Sequence, residues 1–208
     1  AASDVYKRQA MLMGAEMAYT AKDYEKALHI YKQLKDKAAS MERRQLAKTG
    51  MLRSAHMLGN EEEIIFTATD LLADTKLAPE LSNEAHYYRA KAYLDAGKTD
   101  GAMEDLKILA KDTRNVYGAE AKYKVAQIYF DGGQTDKAEQ EVLNYIEVST
   151  PHTYWLARSF VLLADVYMKS GRNLDAKQYL LSLKQNYQAD DDIAGMIESR
   201  LEKLKTEN

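Results

Sequence analysis

The residues of this chain that could bind a metal ion or transfer a proton are scattered along it. None of the four histidines is spaced from another as the ligands of a zinc site are. Glu25 and His29 share one face of a predicted helix, but no third ligand accompanies them. Cysteine is absent, which excludes thiolate metal sites and a cysteine nucleophile and fits either a reducing or an oxidising compartment. We therefore predict no metal site and no cofactor.

Carboxylates and glycines also fail to define a catalytic site. In a chain with many acidic residues, any two helix faces can bring two carboxylates to the separation used in glycoside hydrolysis. The number of carboxylates therefore neither supports nor excludes a catalytic pair. The paired glycines Gly132 and Gly133 lie in the string GGQTDK, which lacks the spacing of a phosphate-binding loop. We predict no catalytic residue in this chain.

Charge and hydropathy restrict the kinds of partner. The chain has 29 basic and 32 acidic residues, and its net charge of −3 is too small to attract a polyanion. No apolar run approaches the roughly 18 residues that a membrane-spanning helix requires. We therefore predict neither a nucleic-acid partner nor direct insertion into a membrane.

Any site in this chain must be positioned by helices. With only 2 prolines and 10 glycines among 208 residues, the composition favours helix throughout. Four similar turns recur, LGNEEEI, AGKTDGA, GGQTDKA and SGRNLDA, with glycines 38, 36 and 38 residues apart. A fifth copy around AKDYEKALHIYKQL carries Lys22 in place of the glycine.

Each copy predicts two antiparallel helices joined by that turn. In the third copy, Ala90 lies seven residues before Gly97 and Ala102 lies five after it, and small residues dominate both places in the other copies. The glycine can adopt the left-handed conformation that ends the first helix, and the small residues allow close helix packing. Because each hairpin leaves an apolar side uncovered, consecutive hairpins must stack.

The segments AKAYLDAGKTDGA, AQIYFDGGQTDKA and ADVYMKSGRNLDA resemble the tetratricopeptide repeat, which has a small residue, an aromatic residue three later, a glycine and then an alanine. The resemblance covers about residues 10–187, although the family's period of about 34 residues is shorter than the period here. It implies an all-α fold, a right-handed α-solenoid of five tetratricopeptide-like helix hairpins followed by a C-terminal capping helix.

The predicted organisation has three parts. The opening string AASDVYKRQ looks like library read-through, so we interpret residues 1–9 as a non-native leader. Residues 10–189 form the repeat array, and residues 190–208 form the capping helix. The five predicted repeats cover about residues 10–40, 41–78, 79–114, 115–150 and 151–189.

One charged residue occupies an apolar position of the repeat. Arg89 stands where the other copies carry Gly14, Met51, Val125 and Leu163. We expect its stem to be buried and its guanidinium to reach solvent. The alternative is a buried guanidinium, which would need a partner.

The resemblance also implies where a partner would bind. In the family, the fifth, ninth and twelfth positions of each first helix line a concave groove, and in this sequence several of them are aromatic or polar. The predicted groove residues are Tyr19, Arg53, His56, Tyr87, Lys91, Tyr123, Gln127, Phe130, Asp165 and Met168. An alternative is that the rings among them pack on one another and leave no groove.

The predicted function is a non-enzymatic scaffold that binds other proteins or peptides in this groove, because stacked hairpins seldom enclose the dry pocket that catalysis by carboxylates requires. The alternative is a structural module that stacks end to end, through an open N-terminal end, on another copy or on upstream repeats. The long, tyrosine-rich repeats are similar to those of bacterial cell-envelope proteins. This resemblance implies a larger envelope complex and a periplasmic location.

Overall fold

Helices form most of the described chain. The computed structural model describes residues 2–206 and the side chains of residues 4–206, so Ala1, Glu207 and Asn208, at the ends of the predicted leader and capping helix, lie outside it. Within residues 2–206 there are eleven α-helices and no β-strand. They are α1 (Ala2–Thr20), α2 (Tyr24–Asp36), α3 (Met41–Leu58), α4 (Glu61–Leu72), α5 (Pro79–Asp95), α6 (Thr99–Leu109), α7 (Val116–Asp131), α8 (Thr135–Glu147), α9 (Thr153–Lys169), α10 (Asn173–Asn186) and α11 (Ile193–Thr206).

The prediction of an all-α fold is confirmed. The largest difference is at α1, which begins at Ala2 and includes most of the predicted leader. At the other end, α11 begins at Ile193, whose backbone N–H donates to the Asp191 carboxylate at 3.0 Å, so the preceding aspartates lie outside the helix.

All five repeat turns adopt the same left-handed backbone. Gly59, Gly97, Gly133 and Gly171 have φ between 64° and 75°, and Lys22 has φ of 63°. A residue with a Cβ is disfavoured in this conformation by about 1–2 kcal/mol, and glycine is not. Lys22 therefore adopts, at an energetic cost, the backbone that its sequence position predicts.

The chain divides into two compact units, and unit 1 comprises Ala1–Asp105. Within it α1 packs on α2, α2 on α3, α3 on α4 and α4 on α5. Ala15 and Ala27, the small pair of the first hairpin, are fully buried where α1 meets α2. In the second hairpin the equivalent places hold Leu52 and Ile64, which are buried together with Leu71 of α4.

Unit 2 comprises Leu106–Asn208. Its hairpins α7–α8 and α9–α10 pack together, and α11 packs on both α9 and α10. Four large apolar residues of α11 recur every three or four positions and are buried: Ile193, Ile197, Leu201 and Leu204. The last helix therefore covers apolar surface of the fifth hairpin.

Arg89 has a partner within the protein, and 18% of its side chain remains exposed. Its guanidinium donates to both carboxylate oxygens of Asp105, at 2.8 and 2.7 Å, and its third nitrogen donates to the Thr69 hydroxyl at 3.0 Å. Nδ1 of His86 lies 2.7 Å from the same carboxylate, of which 1% is exposed. Burial alone would raise the pKa of Asp105, yet hydrogen bonds from Arg89 and His86 hold it below its usual value. The half-buried Arg89 side chain is thus paired with a buried carboxylate.

A basic residue at the fourth repeat position makes an ion pair in each of the three middle hairpins, and sequence reasoning missed this pattern. In each case the partner is an acidic residue on the second helix of the same hairpin. The pairs are Lys48 with Asp70, His86 with Asp105 and Lys122 with Glu141. The outer hairpins carry Met11 and Phe160 at this position, and both pack with apolar neighbours.

Candidate functional site

The candidate site of unit 1 is the side of α1, α3 and α5 that carries the fifth, ninth and twelfth repeat positions. Four residues at these positions, Glu16, Tyr19, Thr49 and Arg53, line one cleft of about 420 Å³ between α1 and α3. Leu81 of α5 closes one side of it. We call this space the α1–α3 cleft. It collects side chains from three consecutive first helices, as the repeat pattern predicts for a groove.

The floor of the α1–α3 cleft is a tyrosine from a second helix. Tyr31 of α2 is almost fully buried but lines the cleft beside Gly50 of α3. A Cβ built on Gly50 would overlap the Tyr31 ring, so the missing side chain lets the ring lie against the α3 backbone. Burial, with a smaller effect of Glu16, raises the pKa of the Tyr31 hydroxyl.

Arg53 is held at the edge of the cleft by α5. Its Nε and one terminal nitrogen donate to the two carboxylate oxygens of Glu84 at 2.7 and 2.8 Å. Glu84 is largely buried, whereas about half of the Arg53 side chain faces solvent. Tyr19 lies nearby, fixed edge-to-face on Tyr24 with ring centroids 5.2 Å apart. The cleft therefore offers an aromatic ring and an oriented cation that need no rearrangement.

A second, smaller cleft of unit 1 contains three more residues at or beside predicted positions. It has a volume of about 140 Å³ and is lined by His56, Tyr88 and Lys91, among others. The His56 ring stacks on Tyr88 with centroids 4.1 Å apart. Burial and the charge of Lys91 lower the pKa of His56, which favours the neutral ring at pH 7. The ring of Tyr87 lies 5.9 Å from the Lys91 ammonium.

In unit 2 the predicted residues make contacts within the protein. Tyr123 is 8% exposed, and its hydroxyl donates to Gln127 at 2.9 Å while it accepts from Arg158 at 3.1 Å. Gln127 in turn donates to Asp131 at 2.8 Å. The guanidinium of Arg158 also lies 5.1 Å from the centre of the Tyr123 ring. Tyr123 and Gln127 thus belong to a hydrogen-bonded chain within unit 2.

The remaining predicted residues of unit 2 are also engaged. Asp165 accepts two hydrogen bonds from Arg200 of α11, at 2.9 and 2.8 Å. The Lys169 ammonium lies 4.9 Å from the centre of the Phe130 ring, and Met168 packs on the unit 2 core. Self-packing is therefore more extensive in unit 2 than in the α1–α3 cleft. The binding role of all ten residues stays a prediction.

Three residues that line the clefts or orient their side chains lie at other repeat positions, and sequence reasoning missed them. Glu84 orients Arg53, Tyr31 forms the floor of the α1–α3 cleft, and Tyr88 stacks on His56. The glycine in the interior of α3 could have indicated Tyr31, because a helix accepts such a glycine where another group approaches closely. Among residues 2–206, no group of three or more His, Asp or Glu could hold a metal ion. Searched over the same part of the chain, no helix has the length and hydropathy needed to cross a membrane.

Comparison with known proteins supports the repeat prediction. Residues 84–112 match the family model described as tetratricopeptide repeat. This segment contains most of α5, the Gly97 turn and all of α6. Comparison with curated proteins gives no match.

Several solved structures have a similar fold. One, described as MamA protein, is 17% identical, with a TM-score of 0.65 over 88% of this chain and 96% of that one. Another contains TPR-like repeats of a putative kinesin light chain from Podosopora anserina, with 18% identity, a TM-score of 0.59 and coverage of 86% and 93%. BtubC from P. vanneervenii is 13% identical, with a TM-score of 0.60 and coverage of 88% and 83%. At these identities the likeness concerns the fold alone.

The geometry of the turns, the small residues between paired helices and the match at residues 84–112 all lead to one assignment. The chain is a helical-repeat protein that carries a tetratricopeptide repeat at residues 84–112 and has the all-α solenoid fold of tetratricopeptide-repeat proteins.

Proposed function

We propose that the chain is a non-enzymatic scaffold that binds a segment of another polypeptide, with the α1–α3 cleft of unit 1 as its principal binding site. The observation that carries this proposal is the cleft of about 420 Å³ lined by Glu16, Tyr19, Thr49 and Arg53. The tetratricopeptide fold supports a role in protein–protein interaction. The cleft adds a specific place where side chains from three helices meet.

The side chains of the cleft suit recognition of a peptide. Tyrosine and arginine contribute disproportionately to protein interfaces, because each combines apolar surface with hydrogen bonding. A guanidinium has five N–H donors, of which Glu84 accepts two, so Arg53 can still donate to carbonyl oxygens of a bound segment. Because Glu84 and Tyr24 already fix Arg53 and Tyr19, little conformational entropy is lost on binding.

We propose that ionisable residues at the cleft position one another and the partner and catalyse no reaction, as Glu84 orients Arg53. The cellular location is a separate part of the proposal. We propose a bacterial periplasm or cell envelope as the location, and this part is supported only by the similarity of the tyrosine-rich repeats to envelope proteins. Fractionation of cells that produce the full-length protein tests it, and an exclusively cytosolic protein would contradict it.

The binding proposal is tested with peptides selected on the purified chain from a random library. Peptide affinity is measured by fluorescence anisotropy for the natural chain, for Tyr19→Ala and for a matched control, Phe66→Ala. Phe66 lies on α4, the second helix of its hairpin, and is 61% exposed. Both substitutions therefore remove an aromatic ring, but only Tyr19 lies in the cleft. We expect Tyr19→Ala to weaken binding roughly tenfold, as for a loss of about 1.4 kcal/mol, and the control to have no effect. Equal affinities for all three chains would refute the site.

A further inference from the structure

The α1–α3 cleft carries an excess of negative charge. Its charged lining residues are two carboxylates, Glu16 and Glu42, and one guanidinium, Arg53. Glu84, outside the lining, balances the charge of Arg53 through two hydrogen bonds of 2.7 and 2.8 Å. The negative charge of the two lining carboxylates therefore remains unbalanced within the cleft.

The Glu16 carboxylate is available to a group that enters the cleft. Its side chain is exposed, and no described residue forms an ion pair or a hydrogen bond with the carboxylate. Arg53 pairs with Glu84 instead. Lys48, the buried cation of α3, is held by Asp70 and a second aspartate at distances of 3.0 and 2.8 Å. Neither cation of α3 therefore neutralises Glu16.

The Tyr31 hydroxyl is a second polar group without a partner. Tyr31 is 7% exposed and lines the cleft, and no described residue is hydrogen-bonded to its hydroxyl. Burial and, next in size, the charge of Glu16 raise the pKa of this hydroxyl, so it stays neutral at pH 7 and lies within the field of the carboxylate. A nearly buried hydroxyl without a hydrogen bond is unfavourable, and a donor from a bound molecule would satisfy it.

We infer that the α1–α3 cleft receives a lysine or arginine side chain of the bound polypeptide. The cationic end donates to the Glu16 carboxylate and to the Tyr31 hydroxyl, while the carbon stem lies against the Tyr19 ring. Glu16 and Tyr19 are three positions apart on α1 and therefore share one face of that helix. The same ring attracts a cation through its π-system. An acidic side chain would be repelled by Glu16 and Glu42.

This arrangement separates recognition of the peptide backbone from recognition of a side chain. Arg53, fixed by Glu84, keeps N–H donors for backbone carbonyl oxygens, which every peptide has. Glu16 and Tyr31 offer acceptors to a cation, which only some peptides have. The inference rests on the proposed function, because it names the class of side chain that the same cleft selects.

Selection from a random library of short peptides tests the preference. The library is panned against the full chain, against Glu16→Gln and against a matched control, Glu62→Gln, and bound peptides are sequenced. Glu62 is exposed on α4 and does not line the cleft. We expect lysine or arginine at one common position in peptides selected on the natural chain and on the control, and no such preference on Glu16→Gln. Peptides without this preference, or enriched in aspartate or glutamate, would overturn the inference.

A double-mutant cycle tests whether the basic residue meets Glu16. Fluorescence anisotropy gives the affinity of a selected peptide and of an uncharged version, with norleucine in place of lysine or citrulline in place of arginine. We expect Glu16→Gln to weaken binding of the selected peptide roughly fivefold, as for loss of one solvent-accessible ion pair, and binding of the uncharged peptide by less than about twofold. Equal losses for both peptides would overturn the contact. The change in the peptide leaves the fold of the chain untouched.

The Tyr19→Ala variant distinguishes failure of this inference from failure of the proposed function. If Tyr19→Ala weakens a peptide that Glu16→Gln leaves unchanged, the cleft binds peptides without selecting their charge, and only the inference fails. If neither substitution alters binding, or the library yields no bound peptide, both fail. Circular dichroism checks that each variant keeps its helix content.

Discussion

Substitution of Gly50 by alanine tests how closely α2 and α3 pack beneath the α1–α3 cleft. A glycine inside a helix costs about 1 kcal/mol relative to alanine, so helix propensity alone predicts that Gly50→Ala stabilises the protein. In the structure, however, the new Cβ would overlap three atoms of the Tyr31 ring. Tyr31 is nearly buried and must shift, and overpacking of this kind costs about 1–3 kcal/mol. We expect a net destabilisation of about 1 kcal/mol.

A double-mutant cycle separates the two effects. When Tyr31→Ala removes the ring, the overlap is absent and only helix propensity acts, so Gly50→Ala should then stabilise by about 1 kcal/mol. The sign therefore reverses, and the coupling energy is about 2 kcal/mol. Gly195→Ala in α11 is the matched control, because a Cβ there meets nothing within 4 Å. It should stabilise by up to about 1 kcal/mol.

The assay is urea denaturation of the four chains of the cycle and the control, monitored by circular dichroism. Gly50→Ala should lower the urea midpoint in the natural background and raise it in the Tyr31→Ala background. If Gly50→Ala raises the midpoint in both, the ring does not lie against α3 and the floor of the cleft is not as described.

Two further substitutions test the turn and the buried ion pairs. Lys22→Gly should raise the free energy of unfolding by about 0.5–1 kcal/mol, because glycine relieves the left-handed strain by more than it increases the entropy of the unfolded chain. Thermal denaturation that shows no gain in stability would contradict the shared turn conformation. Asp105→Asn should destabilise by about 3–5 kcal/mol near pH 7, because Arg89 loses its buried partner. The pKa of Asp105 is lowered in the folded state, so its contribution is present above pH about 4 and is lost as the pH falls through the folded pKa, and urea midpoints of the two chains should converge in acid.

The periodicity of the sequence predicts the helices and the turns well because both depend on local residues. The repeat register located even the Lys22 turn, since the same two helices on either side impose the same backbone. It did not predict the ion pair of Arg89, because the partner Asp105 lies on the second helix of the hairpin, 16 residues further along the chain.

The candidate site was predictable only in part. Repeat positions identify Tyr19 and Arg53, but they carry no information on how far a neighbouring side chain reaches. Tyr31 enters the cleft from α2 because Gly50 leaves room, and Arg158 and Arg200 engage Tyr123 and Asp165 from later helices. Such long side chains decide which inward positions remain available, and their conformation depends on tertiary packing.

Site-specific photo-cross-linking tests the binding claim most directly. A photoreactive phenylalanine derivative is placed at Tyr19, in the α1–α3 cleft, or at Phe66, on the exposed side of α4, and each chain is irradiated with a library-selected peptide. The proposed function predicts a covalent peptide adduct from position 19 that excess unlabelled peptide abolishes, and little adduct from position 66. Equal adducts from both positions, or an adduct from position 66 alone, would contradict it.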